Sequence, residues 1–81
     1  MFSPYYILCK ILKYLYDDLG EEVIDEWEKH VEPIGTKDTK FMIRISDDTY
    51  REEFIMKYIS YASKALSACF DSINEIEVLE R

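Results

Sequence analysis

The sequence predicts a small α+β domain with the element order α-α-β-β-α-β and a three-stranded sheet packed on helices. Its 81 residues suffice for one compact domain, 1–81, and are too few for two. Hydrophobic residues make up 48% and aromatic residues 15% of the chain, a composition that excludes disorder. Apolar residues recur at helical spacing in three segments and alternate as in strands elsewhere.

The first helix is predicted over about residues 4 to 18. Ser3 and Pro4 suit an N-cap and a first helical position, and Gly20 suits a helix end. Its core stripe is Leu8, Ile11, Leu12, Leu15 and Leu19. A second apolar stripe is formed by Tyr5, Cys9, Leu12 and Tyr16. Because so short a chain cannot cover a helix that is apolar on most sides, we expect a partner on this stripe.

The second helix is predicted over about residues 21 to 31, ending before Pro33. Glu21 and Glu22 begin it, where a carboxylate is favoured by the helix dipole. The side chains expected to pack inward are Val23, Ile24, Trp27 and Val31. The side chains expected outside are Glu21, Glu22, Asp25, Glu28 and Lys29. This pattern predicts an acidic exposed face.

The second half of the chain predicts a hairpin, a long helix and a last strand. Residues 31–34 and the alternating residues 41–45 form the hairpin, with a turn from Gly35 to Thr39. A helix of about six turns begins near residue 48, capped by Thr49 with Glu52, or by one of the two preceding aspartates. Its core stripe is Phe54, Tyr58, Tyr61 or Ala62, Ala65, Leu66 and Cys69. Residues 71–74 form a loop, and 75–80 alternate as a strand.

The net charge of −7 is concentrated in one segment. Residues 17–32 contain eight of the 17 acidic residues and one of the ten basic ones, so the remainder of the chain is neutral. An acidic chain repels a phosphate backbone, and it suits a protein partner with a basic surface. The alternative, equally weighted, is a solvated face that keeps an apolar first helix soluble. With neither a spanning segment nor an export signal, we expect a cytoplasmic protein that does not enter the membrane.

Catalysis and cofactor binding have few candidate residues, so we expect no enzyme, no cofactor and no metal site. The single histidine, His30, is best explained by the favourable helix C-terminus, and no phosphate-binding loop or zinc-ligand spacing occurs. Carboxylate pairs on the second helix lie among charged neighbours that do not tune a pKa for catalysis. Cys9 and Cys69 are interpreted as reduced core thiols, and Trp27 as a core anchor.

The order of elements and several residues together resemble the N-terminal domain (domain I) of the bacterial replication initiator DnaA. The resemblance runs from about residue 7 to 79. Leu19 and Trp27 have the family's spacing of eight, and residues 40–45 stand where it has an alternating strand. Ser46-Asp47 replaces a Pro-Asn pair, Lys57-Tyr58-Ile59 stands where it has a Tyr-Leu step, and residues 75–79 match its last strand.

The resemblance implies a KH-like fold and a role in recruitment during chromosome replication initiation. Family members self-associate through the first helix, contact the replicative helicase DnaB and receive initiation regulators. The family's self-association Trp falls on Leu8, so a self-association surface is expected at Tyr5, Leu8, Leu12 and Tyr16, giving a weak homodimer. The family's acidic helicase contact falls on Val23, beside Glu22 and Glu26, and two aromatic anchors fall on Thr49 and Glu53, beside Tyr50. These six are the expected partner-binding residues.

Two other functions stay open at this point. A KH-like sheet can bind single-stranded nucleic acid weakly, although the chain lacks the GXXG loop that clamps phosphates. Such weak single-stranded DNA contact is also attributed to the resembled family. A free-standing protein of phage or plasmid type could also use this fold as an adaptor or inhibitor. For the leading hypothesis, the partners are the replicative helicase, initiation regulators or the initiator itself.

Overall fold

A computed structural model describes residues 2–80 as helices on a mixed three-stranded sheet, in the predicted order. The elements before the third helix are α1 (Pro4–Leu19), α2 (Glu21–His30), β1 (Val31–Lys37) and β2 (Lys40–Ile45). The third helix consists of α3 (Asp48–Glu53), a π-helical turn (Phe54–Tyr58) and α4 (Ile59–Cys69), and β3 (Glu75–Leu79) follows. The fold class predicted from the sequence is therefore confirmed.

Gly20 joins the first two helices without an intervening loop. The Ser3 side chain caps the start of α1 by accepting a hydrogen bond from the Tyr6 N–H at 3.2 Å. At its end, the Gly20 N–H donates to the Tyr16 carbonyl, while the Gly20 carbonyl accepts from Ile24 in the first turn of α2. Gly20 has φ of 90°, a conformation that glycine adopts without steric cost. Both predicted ends of α1 are confirmed to within one residue.

The sheet has the strand order β1-β2-β3. β1 pairs antiparallel with β2, and β3 pairs parallel with β2, which requires the third helix as a crossover. The predicted turn from Gly35 to Thr39 is too long, because β1 continues to Lys37 through a bulge between Pro33 and Gly35. Only Asp38, with φ of 58°, and Thr39 form the turn. An aspartate tolerates this left-handed conformation better than most residues do.

The cap and register of the third helix decide between alternatives that the sequence left open. Asp47, rather than Thr49, is the N-cap, and its carboxylate accepts from the Tyr50 N–H at 2.9 Å. In the π-helical turn, the Ile59 N–H donates to the Phe54 carbonyl five residues earlier. The wider turn takes up one residue more than an α-helical turn, so the buried side of α4 shifts by one residue. Ala62 is therefore buried and Tyr61 is exposed.

The core lies between the inner face of the sheet and the helices. α1 crosses its centre and packs on α2, α4 and β1. Trp27 is 1% exposed, which confirms it as a core anchor. The other buried apolar residues are Ile7, Leu8, Ile11, Leu12, Leu15, Ile24, Val31, Phe41, Ile43, Ile45, Tyr50, Phe54, Ala62, Ala65, Leu66, Phe70 and Ile73. Across residues 2–80, no helix combines the length and apolarity needed to span a bilayer.

Candidate functional site: an acidic cleft and a tyrosine face

A cleft of about 240 Å³ opens between α2 and the third helix. Its lining residues are Glu22, Val23, Glu26, Tyr50, Glu53 and Tyr58, and we call this site the acidic cleft. Five of its lining residues are among the six expected partner-binding residues, and Thr49, which is exposed, is not among them. The fold therefore brings together side chains that lie up to 31 positions apart in the sequence.

The α2 wall of the acidic cleft follows from how that helix packs. Ile24 and Trp27 are buried against the core, which turns the neighbouring faces of α2 toward solvent and toward the third helix. Glu22 and Glu26 are one turn apart on the exposed side, and Val23 is half-buried beside them. Two carboxylates and an apolar patch thus form one wall.

The opposite wall is set by the Asp47 cap. That hydrogen bond fixes the first turn of α3, where Tyr50 is 8% exposed. The Tyr50 ring stacks on the His30 ring, with centroids 4.4 Å apart and an interplanar angle of 25°. Its hydroxyl is buried and has no hydrogen-bond partner among residues 2–80. A buried hydroxyl without a partner is uncommon in folded proteins.

An aromatic cluster supports the acidic cleft from below. The Trp27 ring packs edge-on against Phe54, with centroids 4.9 Å apart, and against Tyr58 at 5.8 Å. Phe54 and Tyr58 are the first and last residues of the π-helical turn. Turns of this kind occur often at functional sites. The cluster gives the cleft a rigid base that joins α2 to the third helix.

The acidic cleft has a negative electrostatic potential, because three carboxylates line it. His30 Nε2 lies 3.2 Å from Glu26 Oε2, and Lys57 Nζ lies 3.1 Å from Glu53 Oε2. Glu22 forms no ion pair with any residue from 2 to 80. Burial, with further contributions from Tyr58 and from the carboxylates of Glu26 and Glu53, raises the pKa of Tyr50. The hydroxyl therefore stays protonated at neutral pH and can both donate and accept hydrogen bonds.

Of the four residues expected to form the self-association surface, two are buried and two are exposed. Leu8 and Leu12 are 8% and 7% exposed and belong to the core, so the prediction that they present an apolar surface to a partner is wrong. Tyr5 is 68% and Tyr16 is 45% exposed, on one side of α1. We call these two residues the tyrosine face. Leu8 and Leu12 are covered because β1, α2 and α4 pack around α1. Tyr5 and Tyr16, at the two ends of the stripe, stay exposed.

The cysteines also differ from expectation. Both are free thiols, as predicted, but Cys9 is exposed and Cys69 is only partly buried, so neither is a core thiol. Cys9 lies between Tyr5 and Tyr16 on α1, which places it at the tyrosine face. No cluster of three or more metal-ligating side chains is found within residues 2–80.

The sequence did not identify Tyr58 as a residue of the site. It was assigned to the core stripe, whereas the π-helical turn leaves it half-buried and lining the acidic cleft. The only available signal was the ambiguity between Tyr61 and Ala62, which implied that one regular helical period does not fit the whole segment. The acids and Tyr50 were identified through the resemblance, whose positions converge on α2 and the start of the third helix.

Comparison with known proteins identifies no relative. No protein-family model matches the sequence. The comparison with curated proteins likewise finds no significant match.

Proposed function

We propose that this protein is a non-catalytic protein-interaction module of chromosome replication initiation, acting in the cytoplasm. It docks a protein partner in the acidic cleft and self-associates weakly through the tyrosine face. The partners are the replicative helicase, initiation regulators or the initiator itself. The resemblance to DnaA domain I supports the replication context, and the geometry of the cleft supports its role as the docking site.

The observation that carries the proposal is the convergence of five expected partner-binding residues on one cleft. These residues were selected from the sequence through a family resemblance, without knowledge of where a cleft would form. The cleft also has the composition of a recognition site, because concave sites commonly join apolar walls to a few placed polar groups.

A binding measurement with purified replicative helicase of the host tests the proposal. The immobilised protein is expected to bind helicase, and the double variant Glu22→Gln/Glu26→Gln is expected to bind at least tenfold more weakly, because two wall carboxylates are removed. The matched control is Glu21→Gln/Asp25→Asn, which removes the same charge from the same helix outside the cleft. Absence of helicase binding, or equal loss in both variants, contradicts docking of helicase in the cleft.

The nucleic-acid alternative gains no support from the exposed side of the sheet. Lys40 and Arg44 project from β2 on the side opposite the core residues Phe41 and Ile43. Lys40 Nζ already lies 3.5 Å from Glu77 Oε1 of β3. Glu32 is paired with Arg44 in the strand register and shares its side of the sheet. Carboxylates beside both cations weaken the field that would attract a phosphate backbone.

A further inference from the structure

We propose that the acidic cleft binds the charged end of a single basic side chain, Lys or Arg, presented by the protein partner. This inference rests on the proposed function, because it assumes that the cleft is the docking site. It goes further by naming the chemical group that enters the cleft. Three features of the cleft favour a cation: its charge, an unsatisfied hydroxyl, and the aromatic and apolar character of its walls.

The carboxylates surround the cleft from two sides. Glu22 and Glu26 extend from α2, and Glu53 extends from the end of α3. The protein's own Lys57 ammonium already lies 3.1 Å from Glu53, so this wall holds a cation in the free protein. That pair is exposed, and exposed pairs of this kind exchange partners at little cost. Glu22, with no ion pair to any residue of the described chain, is the open position for an incoming cation.

The Tyr50 hydroxyl is an independent indication of a ligand. The side chain is more than nine-tenths buried, its hydroxyl has no partner within residues 2–80, and the charges that act on it come from Glu26, Glu53 and Tyr58 of the cleft wall. Tyr50 is therefore both a lining residue of the cleft and the bearer of an oxygen without a hydrogen-bond partner in the described chain. A hydroxyl oxygen accepts hydrogen bonds, and ammonium and guanidinium groups only donate them. A bound cation would satisfy this oxygen while a bound carboxylate would be repelled by the walls.

The walls and the size of the cleft fit one long side chain. Tyr58 and Val23 provide half-buried apolar surface against which the methylene stem of a Lys or Arg can pack. An aromatic ring also attracts a cation placed over its face. A volume of about 240 Å³ corresponds to about eight water molecules, at about 30 Å³ for each. This space is enough for one long side chain.

Blocked pentapeptides test the inference directly, without any protein partner. The probes are acetyl-Gly-Gly-Arg-Gly-Gly-amide and its Lys counterpart, with Gln and Glu counterparts as uncharged and anionic controls. In an NMR titration of the full chain, the Arg and Lys peptides are expected to bind in the millimolar range. The shifted resonances should be those of the cleft residues and the Trp27 indole. The Gln and Glu peptides should cause no saturable change.

Three variants locate the binding. Glu22→Gln/Glu26→Gln should weaken the Arg peptide at least tenfold, and the charge-matched control Glu21→Gln/Asp25→Asn should change it less than twofold. Tyr50→Phe retains the ring and removes only the hydroxyl, and it should weaken binding severalfold. Chemical denaturation of each variant checks that the fold is retained. Equal weakening in the two double variants, or shifts spread over the whole acidic face of α2, overturns the inference.

Failure of this inference can be told apart from failure of the proposed function. If helicase binds and the Arg peptide in excess does not compete with it, a basic side chain is not what enters the cleft, although docking stands. If the Arg peptide binds in the cleft and helicase does not bind, the cation site stands and helicase is not the partner. If the Arg and Lys peptides fail to bind at all, the inference is wrong.

Discussion

The acidic cleft and the tyrosine face both present aromatic groups at the surface, but they are built differently. In the cleft, Tyr50 is held by a ring stack with His30 and by the capped first turn of α3, and its hydroxyl is shielded from solvent. On α1, Tyr5 and Tyr16 are 68% and 45% exposed, and each lines one of two surface grooves of about 270 Å³. The tyrosine of the cleft is enclosed and held by its neighbours, whereas the two tyrosines of the face are open to solvent.

This difference indicates two modes of association. A pre-ordered concave site loses little side-chain entropy when it binds, so it can select one chemical group. An exposed face must order its side chains against another surface, and it gains mainly the apolar area it buries. The cleft is therefore suited to specificity, and the tyrosine face is suited to weak self-association.

The largest change in the free energy of unfolding is expected for substitutions in α1, where buried and exposed residues lie side by side. Leu8→Ala should lower the free energy of unfolding by about 2–5 kcal/mol, because it removes a core side chain and leaves a cavity. Tyr5→Ala should change it by less than about 0.5 kcal/mol, since this side chain is exposed. Urea denaturation of both variants measures the difference. Equal stability losses would contradict the separation between the core side of α1 and the tyrosine face.

Self-association should depend on the two residues of the tyrosine face. The variant Tyr5→Ser/Tyr16→Ser is expected to raise the dimer dissociation constant at least tenfold, which corresponds to about 1.4 kcal/mol. The control is Tyr14→Ser, an exposed tyrosine of the same helix nine positions after Tyr5 and on its opposite side. Sedimentation equilibrium measures both constants. A wild-type protein that remains monomeric at high micromolar concentration would show that the face has another role.

Removing the cap of α3 tests whether the cleft wall is pre-ordered. Asp47→Ala should lower the free energy of unfolding by about 1 kcal/mol, because the Tyr50 N–H loses its acceptor. It should also weaken binding of the Arg peptide. Ser3→Ala, which removes the corresponding cap of α1, should cost a similar amount and leave peptide binding unchanged. Denaturation and peptide titration measure the two effects, and equal peptide affinity in both variants would argue against a pre-ordered wall.

The smallest expected effect is a decrease in the stability of the fold at high pH. Because the pKa of Tyr50 is raised above its ordinary value of 10.0, the native state holds the phenolic proton more tightly than the unfolded state does. Tyr50 therefore contributes its full stability below about pH 10, and this contribution decreases as the pH rises further. Ultraviolet titration should show one tyrosine that ionises only with unfolding, and Tyr50→Phe should remove this late step. A late step that persists in Tyr50→Phe would assign it to another tyrosine.

The order of elements could be predicted from the sequence because the residues that begin and end helices act through local backbone preferences. Ser3, Pro4 and Gly20 define α1 through their own backbone preferences, and alternation identified β2. What could not be predicted depends on distant contacts. The burial of Leu8 and Leu12 is decided by β1, α2 and α4, which no local pattern specifies. The one-residue shift in the third helix arises from a π-helical turn, and the open choice between Tyr61 and Ala62 was its only trace in the sequence.

The candidate site was predicted as two sets of positions and not as a cleft. Residues Glu22, Val23 and Glu26 were selected on one helix, and Tyr50 and Glu53 on another. Their meeting depends on the packing of Trp27 against Phe54, which joins the two helices. The unpartnered Tyr50 hydroxyl was also beyond prediction, because a hydrogen bond that is not made leaves no mark on the sequence.

The parallel pairing of β3 with β2 has a consequence for the order of folding. β2 and β3 pair at Lys40 with Glu75 and at Arg44 with Leu79, a separation of 35 residues. During synthesis, the hairpin of β1 and β2 leaves the ribosome with one edge of β2 unpaired, and this edge stays open until the third helix and β3 have emerged. The nascent chain therefore exposes a hydrogen-bonding edge flanked by the apolar side chains of Phe41 and Ile43. That interval is when the protein is most open to strand pairing with another chain.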